Sequence, residues 1–511
     1  MSLSRFTPTA LPNWLAASAT ALLWWISLQH TGLFALGWIA WIPLFCALST
    51  LATPRARFWF GWRAGLLCFA LINWWVLPTI IKGGTVIGAS PLLAFALGVL
   101  AVFLIALGHG FGIALIALLW NPRAKLFKTL PLLFPLFIAL LWYLFEVMRA
   151  SGVLANSWGA PAFSQWRDTA LLQSASILGQ HGLSALCVWF AASMALWLRP
   201  EYSARIPSLW RAPLAVFLLL HLWGTWRILN YDLARGGDSD SPRLRVALVQ
   251  TSVSSLHKQR ASGESAFGQA ERLTREYFAT GKHADLVVWP ETTAVLIQAM
   301  EGENAASNAF DDTKDRHASR ALELVSQFQT SLLSGAQVTQ AWLGGVPPRL
   351  SNRAVLFSPD SAPQSSSKTR LVPFGERAPF AKYLPFLNHL APEPSITPAD
   401  APTLLRLRNL SIGAVICFES CFRQPTHELK TRGARALFVL TNDEWCAGTS
   451  APWEHAVMST LRAVENDIPV LQSGNGGYSF AVDARGRFVI LSALNKPQVL
   501  TAELNISPNS N

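Results

Sequence analysis

The chain has 511 residues, a formal net charge of +11, 51% hydrophobic residues and only 14% charged ones, against about 25% charged in ordinary soluble domains. That composition excludes a disordered chain, which would be polar and poor in aromatics. Six cysteines and no glycine period exclude a disulfide scaffold or a collagen-like fibre, and the dispersed basic residues argue against nucleic acid as a partner.

The first part of the chain is written for lipid. Of the 22 Trp, 18 precede residue 230, and Glu146, Asp168 and Glu201 are the only acidic residues there. A spanning helix needs about 20 largely apolar residues. Seven stretches qualify as candidates: 11–28, 33–51, 60–80, 92–120, 131–147, 170–198 and 213–229. Ala17, Ser18 and Ala19 resemble a leader cleavage site, but the apolar run continues past them, so no cleaved leader is expected. Trp24, Trp25, Trp38, Trp41, Trp74, Trp75 and Trp120 fall near span ends, which predicts rings at the headgroup layer.

Loop charges predict the orientation. With a cytoplasmic N-terminus, the inner segments hold Arg5, Arg55, Arg57, Arg63, Arg123, Lys125, Lys128, Arg199, Arg205 and Arg211, whereas the outer loops hold Lys82, Arg149 and Arg167. An odd number of spans then places everything after about residue 230 outside the cytoplasm. Glu146 and Arg149 end the fifth span one helical turn apart. The spacing suits either an interfacial i,i+3 ion pair or a polar feature facing the bundle interior or a lipid headgroup.

From Arg243 the pattern changes to short apolar runs at 245–250, 284–289, 354–358, 412–417, 436–440 and 470–473. Helix-length segments at 264–280, 316–329, 420–432 and 453–465 separate several of them, which predicts an α/β domain. The small, polar stretches 301–317 and 361–367 read as surface loops. Two domains follow: a membrane domain of about seven transmembrane helices over 1–230 and an extracytoplasmic α/β domain over 231–511.

Glu291, Lys368 and Cys417 lie at the likely C-terminal ends of these strands or in the loops beyond, where an open α/β sheet forms its ligand crevice. A cysteine passing from a buried strand into a helix start meets free amides that favour a thiolate. A carboxylate can take its proton, and an ammonium can hold the oxyanion that forms. Cys421, four residues on, is expected one turn into the next helix with its sulfur toward the core. The ten His form no close pair with ligand spacing, and no metal or cofactor is expected.

The strings WPET, K-x-x-LVPFGE, ICFE, TNDEW and RAVEN are similar to those of the nitrilase superfamily. Behind a multi-span N-terminal half, LVPFGE with its upstream lysine resembles the apolipoprotein N-acyltransferase family. The resemblance implies an αββα sandwich with a Glu291–Lys368–Cys417 triad. It also implies supporting roles for Glu376, Glu419, Trp445 and Asn352, and it aligns Glu146 and Arg149 with a motif after the fifth span. Ser366 and Arg370 stand where the family carries an aromatic and a His, and Cys446 where an aromatic is usual. Relatives usually end in an eighth span; this sequence stops at Asn511 in a polar tail, so both catalytic domain and C-terminus are expected outside.

The activity implied is acyl transfer from a membrane phospholipid, through a Cys417 thioester, to the α-amine of diacylglyceryl-cysteine on an apolipoprotein. It would take place at the outer face of a bacterial inner membrane, by a monomer working with ping-pong kinetics. The alternative is a membrane-tethered nitrilase-type amidase acting on a small soluble substrate. Phe380, Tyr383, Leu384, Phe386 and Leu387 crowd a segment between Pro379 and Pro392. They read as a lid that dips into the bilayer, or as ordinary core packing.

Overall fold

The computed structural model describes residues 12–505 except 31, 87, 205, 207, 237–242, 255–263, 301–315, 343–348 and 391–395. Arg5, Arg205, Pro392, most of the 301–317 loop and the tail to Asn511 therefore lie outside the described residues. The chain forms two compact units, Met1–Ile228 and Leu229–Asn511.

Each of the seven apolar stretches contains helix. The principal helices are α1 (Asn13–Leu28), α2 (Leu36–Leu48, with a break before Ile42), α3 (Pro54–Ile72), α4 (Val76–Val86), α5 (Pro91–Leu118), α6 (Leu133–Arg149), α7 (Ala175–Trp197) and α8 (Arg211–Gly236). Pro91–Leu118, Ala175–Trp197 and Arg211–Ala234 are long and apolar enough to cross a membrane. Pro54–Ile72 with Val76–Thr85 makes a fourth if its 51° bend lies within one span. Helices α3 and α5 meet through glycine: a Cβ on Gly65 would stand 2.7 Å from the Gly110 Cα. Small residues let backbones approach closely where hydrophobicity gives helices no drive to associate in lipid.

The tryptophans add an inward packing that the sequence reading did not expect. Trp24, Trp41 and Trp120, near span ends in the sequence, turn their rings into the helical unit and are buried there. Trp24 shares one face of α1 with Ala17, Ala21 and Leu28, all buried, and its ring lies 4.6 Å from Trp41, itself 4.4 Å from Trp142. The small residues on that face leave room for indoles, which pack there in tilted and edge-to-face contacts. Glu146 and Arg149 also turn inward. Glu146 accepts from Trp142 Nε1 (3.0 Å), faces Arg149 at 3.8 Å and lies 3.3 Å from His181 Nδ1. Arg149 donates to the carbonyls of Asn156, Ser157 and Trp158. The pair is an interior one.

The second unit contains two six-stranded sheets. In the first the order is β12 (Gln498–Asn505), β1 (Arg243–Gln250), β2 (Leu286–Met300), β3 (Ser331–Trp342), β4 (Arg349–Ser358), β5 (Ser361–Ser367). In the second it is β11 (Phe488–Leu491), β10 (Phe480–Val482), β9 (Val470–Asn475), β8 (Ala436–Asn442), β7 (Leu410–Ile416), β6 (Leu405–Leu407). The β1–β2–β3 and β7–β8–β9 runs are parallel. Val246, Leu248 and Val288 of one sheet share a core with Ile412, Ala414 and Phe438 of the other. The outer faces carry α9 (Glu264–Ala279) with α10 (Arg316–Phe328), and α11 (Arg423–Thr431) with α12 (Ala451–Asn466). These four layers form the αββα sandwich. Ser361–Ser367 is an edge strand, not a loop: it pairs antiparallel with β4 through Arg353↔Ser367 and Ala354↔Ser366. Its serine-rich sequence has no apolar period, and an exposed edge favours polar residues.

Candidate active site

A break in β2 places Glu291. Trp289 pairs with Ser334 and Ala294 with Ala336, so residues 290–293 stand opposite the single Gly335. A Cβ on Gly335 would lie 2.5 Å from the Glu291 Cα, so only glycine fits. Thr292 takes φ +48 to close the bulge. Such bulges re-aim side chains beside active sites, and this one sends the Glu291 carboxylate toward β4.

There Asn352 donates from Nδ2 to Glu291 Oε1 at 2.8 Å and more distantly to Glu376 Oε1 at 3.4 Å. Lys368 follows β5 directly, its N–H held by the Asn352 carbonyl at 2.8 Å. Its buried Nζ donates to Glu376 Oε1 (2.8 Å) and Glu291 Oε1 (3.2 Å). Glu376 is fixed in turn by the Val372 N–H, 2.8 Å from Oε2. Burial works against the Lys368 charge, but Glu291, Glu376 and Cys417 more than offset it and hold the amine well above its ordinary value.

Cys417 begins a 3-10 turn, Cys417–Cys421, at the end of β7. Its φ of +51 lies in the left-handed region, at a cost of roughly 1–2 kcal/mol for a residue with a Cβ. The thiolate expected from helix-start amides is not the resting state. Burial and the Glu291 carboxylate push the Cys417 thiol well above its ordinary value, with Lys368 pulling the other way. Next to a carboxylate in a largely enclosed site, desolvation outweighs a few amide dipoles.

Glu419 serves as a tie between segments. Its Oε1 accepts from the Thr369 N–H (2.7 Å), the Thr369 hydroxyl (2.6 Å) and the Arg370 N–H (3.1 Å), and its Oε2 from the Ile416 N–H (2.8 Å). It joins the lysine loop to the cysteine turn. Ser366 accepts from the Thr403 N–H, and Arg370 lies over the Phe422 ring at 4.1 Å. Trp445 is half-buried in the 3-10 turn Asp443–Cys446. Cys421 is buried and unbridged, but it ends the 3-10 turn instead of entering a helix. Phe380, Tyr383, Leu384 and Phe386 are 47–77% exposed, which excludes the core-packing reading. Among the described residues no cluster of His, Cys, Asp or Glu could hold a metal ion.

The sequence reading missed a second layer. Thr441 hydrogen-bonds the Cys417 thiol and donates to Asp443 Oδ1 at 2.9 Å. Asp443 faces His455, which reaches the Cys417 backbone. Asp443 lies in the TNDEW string, but a histidine twelve residues later carries no local signal.

The αββα sandwich is that of carbon–nitrogen hydrolase-type enzymes, and residues 245–508 match the carbon-nitrogen hydrolase family. Residues 20–193 match the apolipoprotein N-acyltransferase N-terminal domain. An apolipoprotein N-acyltransferase of Geobacter metallireducens is 30% identical over 97% of this chain and 89% of its own length. One of Allorhizobium ampelinum is 28% identical over 89% of this chain and 80% of its own. The chain belongs to the apolipoprotein N-acyltransferase family. Among solved structures, Saccharomyces cerevisiae Nit3, a member of branch 10 of the nitrilase superfamily, is 19% identical with a TM-score of 0.38. The match covers 52% of this chain and 90% of that one.

Proposed function

We propose that this acyltransferase carries its acyl group on Cys417 and acts at the outer face of the bacterial inner membrane. The observation that supports this reading is the Lys368 ammonium bridging Glu291 and Glu376 beside a cysteine in a left-handed turn. Glu291 takes the thiol proton as sulfur attacks the ester carbonyl of a phospholipid. Lys368 steadies the oxyanion. The intermediate collapses, and the lysophospholipid oxygen leaves with the proton from Glu291. The α-amine of a diacylglyceryl-cysteine then attacks the thioester and gives its proton to Glu291. The thiolate departs and is reprotonated, leaving an amide. Two substrates that alternate on one nucleophile produce ping-pong kinetics.

Glu376 and Asn352 hold Glu291 and Lys368 in place, and Trp445 lines the approach. Phe380, Tyr383, Leu384 and Phe386 form a lid that enters the lipid. A tethered amidase for soluble substrates would gain nothing from four exposed apolar side chains there, and family membership favours lipoprotein N-acylation. Residues 1–230 cross the membrane seven times, and residues 231–511 form the periplasmic domain of a monomer. The alternation of basic loops supports that orientation. Mass spectrometry of a diacylated lipopeptide, incubated with enzyme and phospholipid vesicles, should show addition of one acyl chain at the N-terminus and a transient acyl-Cys417. An unmodified peptide with a released soluble amide would mark the amidase instead.

A further inference from the structure

Asp443 and His455 take no part in the chemistry above, yet His455 touches the nucleophile. It projects from α12 and is buried. Its Nδ1 lies 2.8 Å from Asp443 Oδ1, and its Nε2 lies 3.1 Å from the Cys417 carbonyl and 2.9 Å from Ser420 Oγ. A carboxylate and a carbonyl carry no hydrogen, so both contacts are hydrogen bonds only if both ring nitrogens donate. The ring is then an imidazolium. Its surroundings agree: burial acts against the charge, but Asp443 and Cys421 outweigh it and hold the ring well above its ordinary value. The neighbouring donors also balance. Ser420 Oγ donates to the same Cys417 carbonyl at 3.0 Å and can accept from Ser459 Oγ at 3.0 Å.

Peptide geometry sets the consequence. The Cys417 carbonyl and the Phe418 N–H belong to one planar unit, and in a trans peptide they point in opposite directions. With the carbonyl aimed at His455, the N–H is aimed away from α12. As one of the first amides of a 3-10 turn it has no partner within that turn. A charged donor on the carbonyl polarises the peptide and strengthens the N–H on its other side.

We propose that the Asp443–His455 pair is a positioning element for acyl transfer: by gripping the Cys417 carbonyl it holds the nucleophile in its left-handed conformation and fixes the direction of the Phe418 N–H on the other side of the same peptide. The inference rests on Cys417 being the acylated residue. His455 touches no substrate and acts through the backbone, so its removal lowers kcat and leaves KM for phospholipid alone.

The test uses the full chain in phospholipid vesicles. Acyl-Cys417 formation is followed in single turnovers by mass spectrometry, with steady-state kcat and KM alongside. His455→Leu removes the donor and should slow acylation about 10- to 100-fold, a step below the loss from deleting an oxyanion donor outright. His455→Gln keeps an N–H in reach of the carbonyl and should recover most of that loss, a rescue that packing alone does not explain. Asp443→Asn keeps the ring but removes the charge that holds both nitrogens protonated, so it should also slow acylation at unchanged KM; this variant decides the matter if the ring variants do not fold. Parental acylation in His455→Leu or Asp443→Asn would overturn the inference, as would a Gln variant as slow as the Leu variant. A parent enzyme that forms no acyl-Cys417 overturns the nucleophile reading itself, and this inference with it.

Discussion

Lys368 sits at 1% exposure with its ammonium divided between two carboxylates, so each partner depends on the others. Lys368→Ala should lose on the order of 10²–10³ in rate, as for one oxyanion donor. Glu291→Gln should block thioester formation, and neither Cys417→Ala nor Cys417→Ser should turn over, since a hydroxyl lacks the thiol's easier ionisation. Wild-type turnover in either cysteine variant would remove Cys417 from the mechanism. The thiol also sets a pH dependence. Because burial and Glu291 hold Cys417 protonated well above its ordinary range, the thiolate fraction grows as pH rises. Alkylation by iodoacetamide should therefore climb through the alkaline range without levelling where an ordinary thiol does. Glu291→Gln removes a negative neighbour and should move the climb to lower pH; Lys368→Ala removes a positive one and should move it higher. A parent profile that levels near neutrality would contradict the electrostatic account.

Between elements, Glu419 joins the turn after β7 to the loop after β5 with four hydrogen bonds from backbone and hydroxyl donors. All four donors need an acceptor. Glu419→Gln must turn its amide nitrogen toward at least one of them, leaving two donors face to face at a cost of about 1–3 kcal/mol. The expected result is a lower thermal midpoint together with slower acylation, because Lys368 and Cys417 lose their common anchor; an unchanged midpoint would show the tie to be dispensable. The exposed segment around Phe380 makes a different demand. Replacing Phe380 and Phe386 with Ser removes apolar surface that meets water in the described structure. It should weaken turnover of bilayer phospholipid far more than that of a short-chain soluble ester. Equal loss on both substrates would point to a general packing defect.

At the scale of the molecule, the prediction concerns topology. Basic residues alternate along the first part of the sequence, and with the proposed odd number of crossings the second unit would lie outside the cytoplasm. A reporter that matures only outside the cytoplasm, fused after Asn511, should be active. An inactive fusion at normal expression would require an even number of crossings. Among the described residues three helices are long and apolar enough to cross, and a pair meeting at 51° makes a fourth if it is one span, so the fusion decides the parity.

How much was legible in the sequence differs by feature. The α/β pattern, the change of composition near residue 230 and the Glu291 and Lys368 that the structure brings together near Cys417 lie in local strings, because burial and strand-end chemistry each leave a short-range mark. The serine-rich edge strand Ser361–Ser367 left none, since its pairing comes from β4 and not from its own side chains. The inward packing of Trp24, Trp41 and Trp120 was not legible because position along a helix gives depth, whereas burial depends on which face meets a neighbour. The bulge that turns Glu291 inward exists because Gly335, on another strand, admits it. Protonation of the cysteine, the tie made by Glu419 and the reach of His455 to the Cys417 carbonyl are long-range facts of the same kind. Composition and short motifs determine which groups are present. Distance and desolvation between segments far apart in the chain decide their charge and direction, and those arise only when the two sheets close on each other.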